Sequence, residues 1–454
     1  MASTRNSPPA DDAAPTEVAT SVESAVREFV VPGSRLSVAL SGGIDSMVLL
    51  DALSRLSAAH PFELRAIHVN HGLSPHAEDW SVFCAAQCAA RGVPLDIQRL
   101  TLERKTASLE AKSRAERYAR LNASGADVVA LAHHADDQAE TVLLQMLRGA
   151  GPRGLSAMPR FRPGNPAWLR PLLGSRRATL CAYAKSRGLA WIDDESNREP
   201  RHKRNLLRHQ IVPLLRTHFP GYPETMLRVA ELQAEANGLV DALAMQDAAG
   251  ACDAMGLDLA RLNSLSPSRA RNLMRWFLQR EGLRPPSQSR LAEMLRQLTH
   301  ALPDSRMRFA HDGVEIGCHH DRIAVHAAPR GPFCLVWNGE PEVTLPGGVV
   351  MFRDARGAGV SVQKLARARV TLRSRVGGER IQIASNRPRR ALKRWLQEAS
   401  VPPWNRAMVP LVWCGDELAA VPGIGVAAAF QTAPEEPGWC VDWLPEGSQQ
   451  VSGT

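Results

Sequence analysis

Ser41-Gly42-Gly43-Ile44-Asp45-Ser46 stands between an apolar run and an amphipathic one. Its residue types suit an anion. Paired glycines let the backbone turn tightly and come close to a ligand. A helix that starts there offers free N–H groups and a positive dipole end, and Ser41 and Ser46 add hydroxyls. Asp45 is the odd member, since a carboxylate repels phosphate unless a cation lies between them; a magnesium ion bridging Asp45 and phosphate oxygens resolves the conflict. A plain strand-to-helix turn with an Asp at the helix start is the alternative, but glycine pair, acid and flanking serines together favour a phosphate site.

Two further segments carry chemistry-bearing residues, His68-Val69-Asn70-His71-Gly72-Leu73 and His133-His134-Ala135-Asp136-Asp137-Gln138-Ala139-Glu140. His68 follows an apolar run and could simply pack. Asp136 and Asp137 could simply favour a helix start. Two histidines and three acids within eight residues point beyond capping, and Asp137 and Glu140, three apart, share one helix face.

These segments need elements to hold them. Leu36–Leu40, Leu64–Val69, Val93–Leu100 and Asp127–Ala132 read as strands, and Ser46–Leu56, Glu78–Arg91, Leu109–Ala123 and Gln138–Arg148 as helices. Regular alternation means a parallel sheet covered on both faces. All three segments then lie at strand C-terminal ends, where open α/β sheets bind ligands. The expected organisation is a disordered tail (1–22), a sheet domain (23–220), a linker helix (221–250), a small α+β unit (251–330), a Gly- and Pro-rich linker (331–366), a terminal unit (367–444) and a tail (445–454).

Composition narrows the class. The chain has 454 residues, 44% apolar and 22% charged, with 55 basic and 46 acidic side chains giving +9. That excess agrees with a polyanionic partner without requiring one. No apolar run reaches the ~18–20 residues of a membrane span. The first segment lacks an apolar stretch and carries Asp11, Asp12 and Glu17, so no leader and a cytoplasmic location are expected. Eight scattered cysteines without a C-x-x-C predict reduced thiols and no structural zinc. Basic clusters at Arg198, Arg201, His202, Lys203, Arg204 and Arg208, and at Arg387, Arg389, Arg390, Lys393 and Arg394 beside Trp395, are candidate RNA surfaces; solvated basic faces are the alternative.

The hexapeptide resembles the pyrophosphate loop of the N-type ATP pyrophosphatases, and no G-K-[ST] follows it as in a Walker A loop. The resemblance implies a Rossmann-like, HUP-type PP-loop domain that cleaves ATP between its α and β phosphates, followed here by two smaller α+β units. With the His68–Leu73 and His133–Glu140 segments, Arg170-Pro171-Leu172-Leu173, Arg375-Val376-Gly377-Gly378-Glu379-Arg380, Leu392-Lys393 and Pro402-Pro403-Trp404, the chain resembles the tRNA(Ile)-lysidine synthetases over 36–220 and 370–425.

That resemblance implies adenylation of C2 of cytidine 34 in the CAU anticodon of tRNA(Ile), then displacement of AMP by L-lysine. It further implies roles: Ser41, Gly42, Gly43, Ile44, Asp45, Ser46, His68 and His133 for ATP; Asp45 for Mg2+; Arg114 for charge on the leaving pyrophosphate; Asp136, Asp137 and Glu140 for lysine, with Asp45, Arg114, Asp137 and Glu140 as the catalytic set. Arg201, Lys203, Arg204, Arg208, Arg389, Arg390, Lys393 and Arg394 are expected to meet tRNA, and a homodimer is the candidate assembly. The rival readings are a PP-loop tRNA thiolase, against which the absence of C-x-x-C counts, and an inert tRNA-binding module.

Overall fold

The structure, a computed structural model, describes residues 10–72, 74–100, 109–193, 203–253, 255–299, 308–328 and 331–445. The chain divides into two compact units, Met1–Leu239 and Val240–Thr454.

In the first unit, helices α1 (Ala10–Phe29), α2 (Ile44–Leu56), α3 (Ala77–Ala89), α4 (Leu109–Asn122) and α5 (Ala135–Met146) interleave with strands β1 (Arg35–Ala39), β2 (Glu63–Asn70), β3 (Leu95–Arg99) and β4 (Val128–Ala130). After a short helix α6 (Pro152–Leu155) come β5 (Phe161–Arg162), β6 (Ala167–Leu169) and α7 (Arg177–Ser186). The sheet order is β3-β2-β1-β4-β6-β5. The first five strands are parallel and β5 runs antiparallel to β6. Strand order reverses between β1 and β4, which opens a crevice above their C-terminal ends. Both the Ser41–Ser46 loop and the His133–Glu140 segment follow those two strands.

Each face of the sheet has its own core. Leu36, Val38, Met47, Leu50, Ala66, Cys84, Leu172 and Leu180 close one; Ile67, Val69, Leu121, Val129 and Trp168 close the other. Residues 10–22, expected as part of a disordered tail, are helical instead. Val18, Val22, Ala25 and Val26 are buried in the first core, and α1 packs on α2 and α7. Their i, i+4, i+7, i+8 spacing forms an apolar stripe, and a fully buried valine is worth about 1.5–2 kcal/mol, enough to order a stretch whose composition is otherwise polar.

Beyond α7 follow a short helix α8 (Lys203–Leu206), a π-helical turn at Leu207–Ile211, α9 (Val212–His218) and the long α10 (Tyr222–Ala248). The boundary between the two units falls inside α10.

The second unit contains two cores. Helices Pro267–Arg280 and Gln288–Thr299 pack their apolar faces with a five-stranded sheet that includes Val314–His319 and Arg322–Ala327. The other core joins two further sheets, and residues 331–366 belong to it rather than to a linker. Strands Glu342–Leu345 and Gly348–Arg356 form a hairpin, and the latter pairs with Pro437–Pro445. Trp337 stacks on Phe352 at 4.1 Å. The glycines that suggested a linker are hairpin punctuation: Gly347 has φ +97°, a conformation that suits glycine in tight turns.

Candidate active site

Gly42 has φ +84°, and a Cβ there would lie 2.6 Å from Ile192 Cδ1. Only glycine fits that turn. Ile192 N–H in turn donates to Gly42 O at 2.9 Å, tying the loop to the segment after α7. Gly43 is the N-cap of α2 and makes no side-chain cap bond, so the amides of the first turn have no side-chain acceptor. Ser46 Oγ donates to Gly43 O at 2.8 Å and lies 3.1 Å from Ser41 Oγ, which fixes the loop in an open arc. The result is a preformed anion cradle.

Across the crevice, α5 begins with a reciprocal cap. Asp137 N–H donates to His134 Nδ1 at 3.3 Å, and His134 N–H donates to Asp137 Oδ2 at 3.2 Å. Because Nδ1 accepts, the ring proton sits on Nε2. That atom is 3.3 Å from Asp137 Oδ2 and 3.7 Å from Asp45 Oδ2. Burial opposes a charged ring here, but Asp45 and Asp137 outweigh it and raise the His134 pKa. His134 therefore bridges the loop after β1 and the helix after β4. It was named in the sequence only as a cluster member; the signal that could have singled it out is its N-cap position, where Ser, Thr, Asp or Asn is usual.

The acids of α5 are held by arginines. Arg204 Nε donates to Glu140 Oε2 at 2.8 Å and its Nη2 to Asp137 Oδ1 at 3.2 Å. Arg208 Nε donates to Glu140 Oε1 at 2.7 Å and its Nη2 to Asp137 Oδ1 at 3.1 Å. Burial favours a neutral Asp137, yet His134 and the two arginines reverse this and lower its pKa. Arg204 and Arg208 were expected on an RNA-facing surface; they turn into the site because two half-buried guanidiniums find two buried carboxylates there. Lys203 is exposed, and Arg201 lies outside the described residues.

Asp136, expected at lysine, is held on both sides. Its Oδ2 accepts Arg177 N–H at 2.9 Å and its Oδ1 accepts Arg216 Nη2 at 2.8 Å. Both oxygens join α5 to α7 and α9. His133, expected at ATP, accepts Arg170 Nε at Nδ1 across 3.3 Å. Burial, with Arg170 beside it, pushes its pKa down to about 3, against the pull of Asp137. His68, also expected at ATP, donates from Nδ1 to Leu40 O at 2.9 Å, which leaves a buried Nε2 without a partner. Arg114 meets Tyr118 OH at 3.5 Å. In the second unit Arg390 pairs with Glu398 at 2.6 Å and lies over Trp395, while Arg389, Lys393 and Arg394 are exposed.

Among the described residues no group of three His, Cys, Asp or Glu side chains is placed to hold a metal alone. Asp45 Oδ1 is buried without a partner. A single orphaned carboxylate oxygen beside a phosphate cradle fits a Mg2+ whose remaining ligands are phosphate and water oxygens.

His71 gives a pH-dependent prediction. Its Nδ1 lies 2.9 Å from Ser113 Oγ, and burial, then Arg117, pushes its pKa down to about 4. Between that value and the ordinary ~6.5 the unfolded chain binds a proton that the folded chain refuses. Stability is therefore complete above the window and falls as pH drops through it. His71→Asn should flatten the decline in Tm between about pH 6.5 and 4; an unchanged slope would place the responsible proton elsewhere.

Residues 15–215 match the PP-loop domain family, 257–324 the TilS substrate binding domain and 370–443 the TilS substrate C-terminal domain. A tRNA(Ile)-lysidine synthase of Nitrosomonas europaea is 43% identical over 96% of this chain and 98% of its own. One of an Azoarcus species is 42% identical over 92% and 94%. Among solved structures, the U34-tRNA thiolase NcsA of Methanococcus maripaludis, with its [4Fe-4S] cluster, covers 50% of this chain and 80% of its own at 20% identity and a TM-score of 0.44. With near-complete coverage at such identity, the chain belongs to the tRNA(Ile)-lysidine synthase family.

Proposed function

We propose that the chain ligates L-lysine to C2 of cytidine 34 in the CAU anticodon of tRNA(Ile), using ATP and releasing AMP and pyrophosphate. The observation that carries this reading is the position of the Ser41–Ser46 cradle opposite the Asp137–Glu140–Arg204–Arg208 cluster, with His134 bridging the two across one crevice.

In the first step the C2 oxygen attacks the α-phosphorus of ATP and the bond to pyrophosphate breaks. First-turn amides of α2, with Ser41 and Ser46, hold the departing charge. A Mg2+ held by Asp45 would supply further charge neutralisation on the phosphates.

In the second step the lysine ε-amine attacks C2 and the C2–O bond to AMP breaks. The amine must first lose a proton. Without lysine, the two acids and two arginines neutralise one another. Free lysine carries both signs of charge, so it can exchange into that network: its carboxylate replaces an acid on Arg204 or Arg208, and its ammonium takes the carboxylate released. Asp137 is then the better proton acceptor, because both oxygens of Glu140 bind arginine while Asp137 Oδ2 faces only the His134 ring and amide.

The test is direct. Purified protein is incubated with ATP, labelled lysine and a tRNA(Ile) transcript bearing CAU. Labelled lysine in the RNA supports the reading. Sulfur incorporation from a sulfur donor would instead make it a thiolase, and tRNA retention without AMP release an inert binder.

A further inference from the structure

Outside the acid cluster the first unit holds a second electrostatic feature. Arg114, Arg117 and Tyr118 lie on α4, Arg162 on β5, Trp168 on β6 and Arg170 just after it. Arg114 and Arg117 sit over the Tyr118 ring at 5.3 and 5.7 Å. Tyr118 contacts Trp168 at 5.1 Å, and Arg162 lies over Trp168 at 5.3 Å. Arg170 reaches His133. Among the described residues, none of these four arginines has a carboxylate partner.

That arrangement is costly. Burial and neighbouring guanidiniums, Arg114 for both and Arg162 for Arg170, disfavour the charge on Arg117 and Arg170. Buried charges are normally paired, and here the interacting groups are aromatic faces, a phenol oxygen, a backbone carbonyl and a neutral imidazole. A set of cations held together with no carboxylate among the described residues suits an anion from outside.

The two ends of the cluster differ. Arg114 and Arg162 are exposed, while Arg170 is buried beside His133, which itself feels the Asp137 charge. The cluster therefore runs from solvent to the catalytic acids. The triphosphate tail already has the α2 cradle. What must still enter from solvent and reach the acids is the RNA strand that carries the target base, and single strands are commonly gripped by positively charged grooves that track the backbone.

We propose that Arg117 and Arg162, grouped around Tyr118 and Trp168 with Arg170 buried behind them beside His133, bind backbone phosphodiesters of the anticodon strand and so replace Arg204 and Arg208 as the RNA contact of the first unit. This rests on the tRNA-lysidine reading above.

The test uses the full chain with Arg117→Gln and Arg162→Gln combined. The Michaelis constant for tRNA should rise about 10-fold or more. The slope of log Kd for tRNA against log salt should shrink by about 1.4, from ~0.7 per phosphate contact on a single strand. The Michaelis constant for ATP should stay within about twofold. Tm should not fall, because the substitutions remove like-charge repulsion. Unchanged tRNA affinity and salt slope would overturn the proposal. So would a rise confined to ATP, which would make the cluster a nucleotide-phosphate site, and so would a lower Tm with all substrates weakened, which would make it a structural brace. Wild-type protein that binds tRNA through these arginines but never forms lysidine would instead sink the proposed reaction and leave the cluster standing.

Discussion

Asp137→Asn should reduce lysidine formation by about 10³-fold, within the range expected for losing a proton acceptor, while adenylation of tRNA continues. Asparagine keeps the size of the side chain, and its carbonyl can still accept the His134 amide, so the start of α5 is retained. What disappears is charge. Arg204 and Arg208 now face Glu140 alone, the local balance moves from neutral to +1, and an incoming ammonium is repelled. The amine also loses its proton acceptor. Rapid quench with α-labelled ATP separates the two steps: RNA-bound AMP should accumulate in the variant and turn over slowly when lysine is added. Equal loss of both steps would assign Asp137 to adenylation instead.

Asp45→Ala should remove AMP formation by at least about 10³-fold, the order of several kcal/mol of charge stabilisation at a transferring phosphoryl group. Asp45 is the one residue of the loop whose chemistry opposes phosphate, and its Oδ1 is buried and unpartnered. A buried carboxylate oxygen with no hydrogen-bond partner beside an anion cradle fits a cation between the two. Lysine binding, measured by calorimetry on the protein alone, should persist, since Asp137, Glu140 and the two arginines are untouched. The Mg2+ dependence of ATP binding should be lost in the variant. Normal turnover with an unchanged Mg2+ requirement would remove the metal role from Asp45.

The scaffold was largely legible from the chain. Alternation of short apolar runs with amphipathic ones predicts the parallel sheet, because its two periods are local. The hexapeptide at Ser41 and the acids of α5 were legible for the same reason, as dense chemistry over a few residues. Features that depend on distant pairing were not. Arg204 and Arg208 lie more than sixty residues from the acids they bind and look in sequence like any solvated basic run. Asp136 looked like Asp137, and its bonds to Arg177 and Arg216, 41 and 80 residues on, could not be read from the chain. The polar composition of residues 10–22 hid the buried stripe of α1, and hairpin glycines made residues 331–366 look like a linker. The arginines around Tyr118, which have no carboxylate partner among the described residues, were invisible as a group, since they come from α4, β5 and the end of β6.

One crevice should perform both half-reactions, and the adenylated RNA is where this can be seen. Wild-type protein, ATP labelled at the α-phosphate and tRNA(Ile) bearing CAU are mixed without lysine, quenched, and the RNA is separated from free nucleotide. Label is expected on the RNA, released as AMP when lysine is added. RNA that carries no label under these conditions, with AMP appearing only when lysine is present and never on the tRNA, would contradict it.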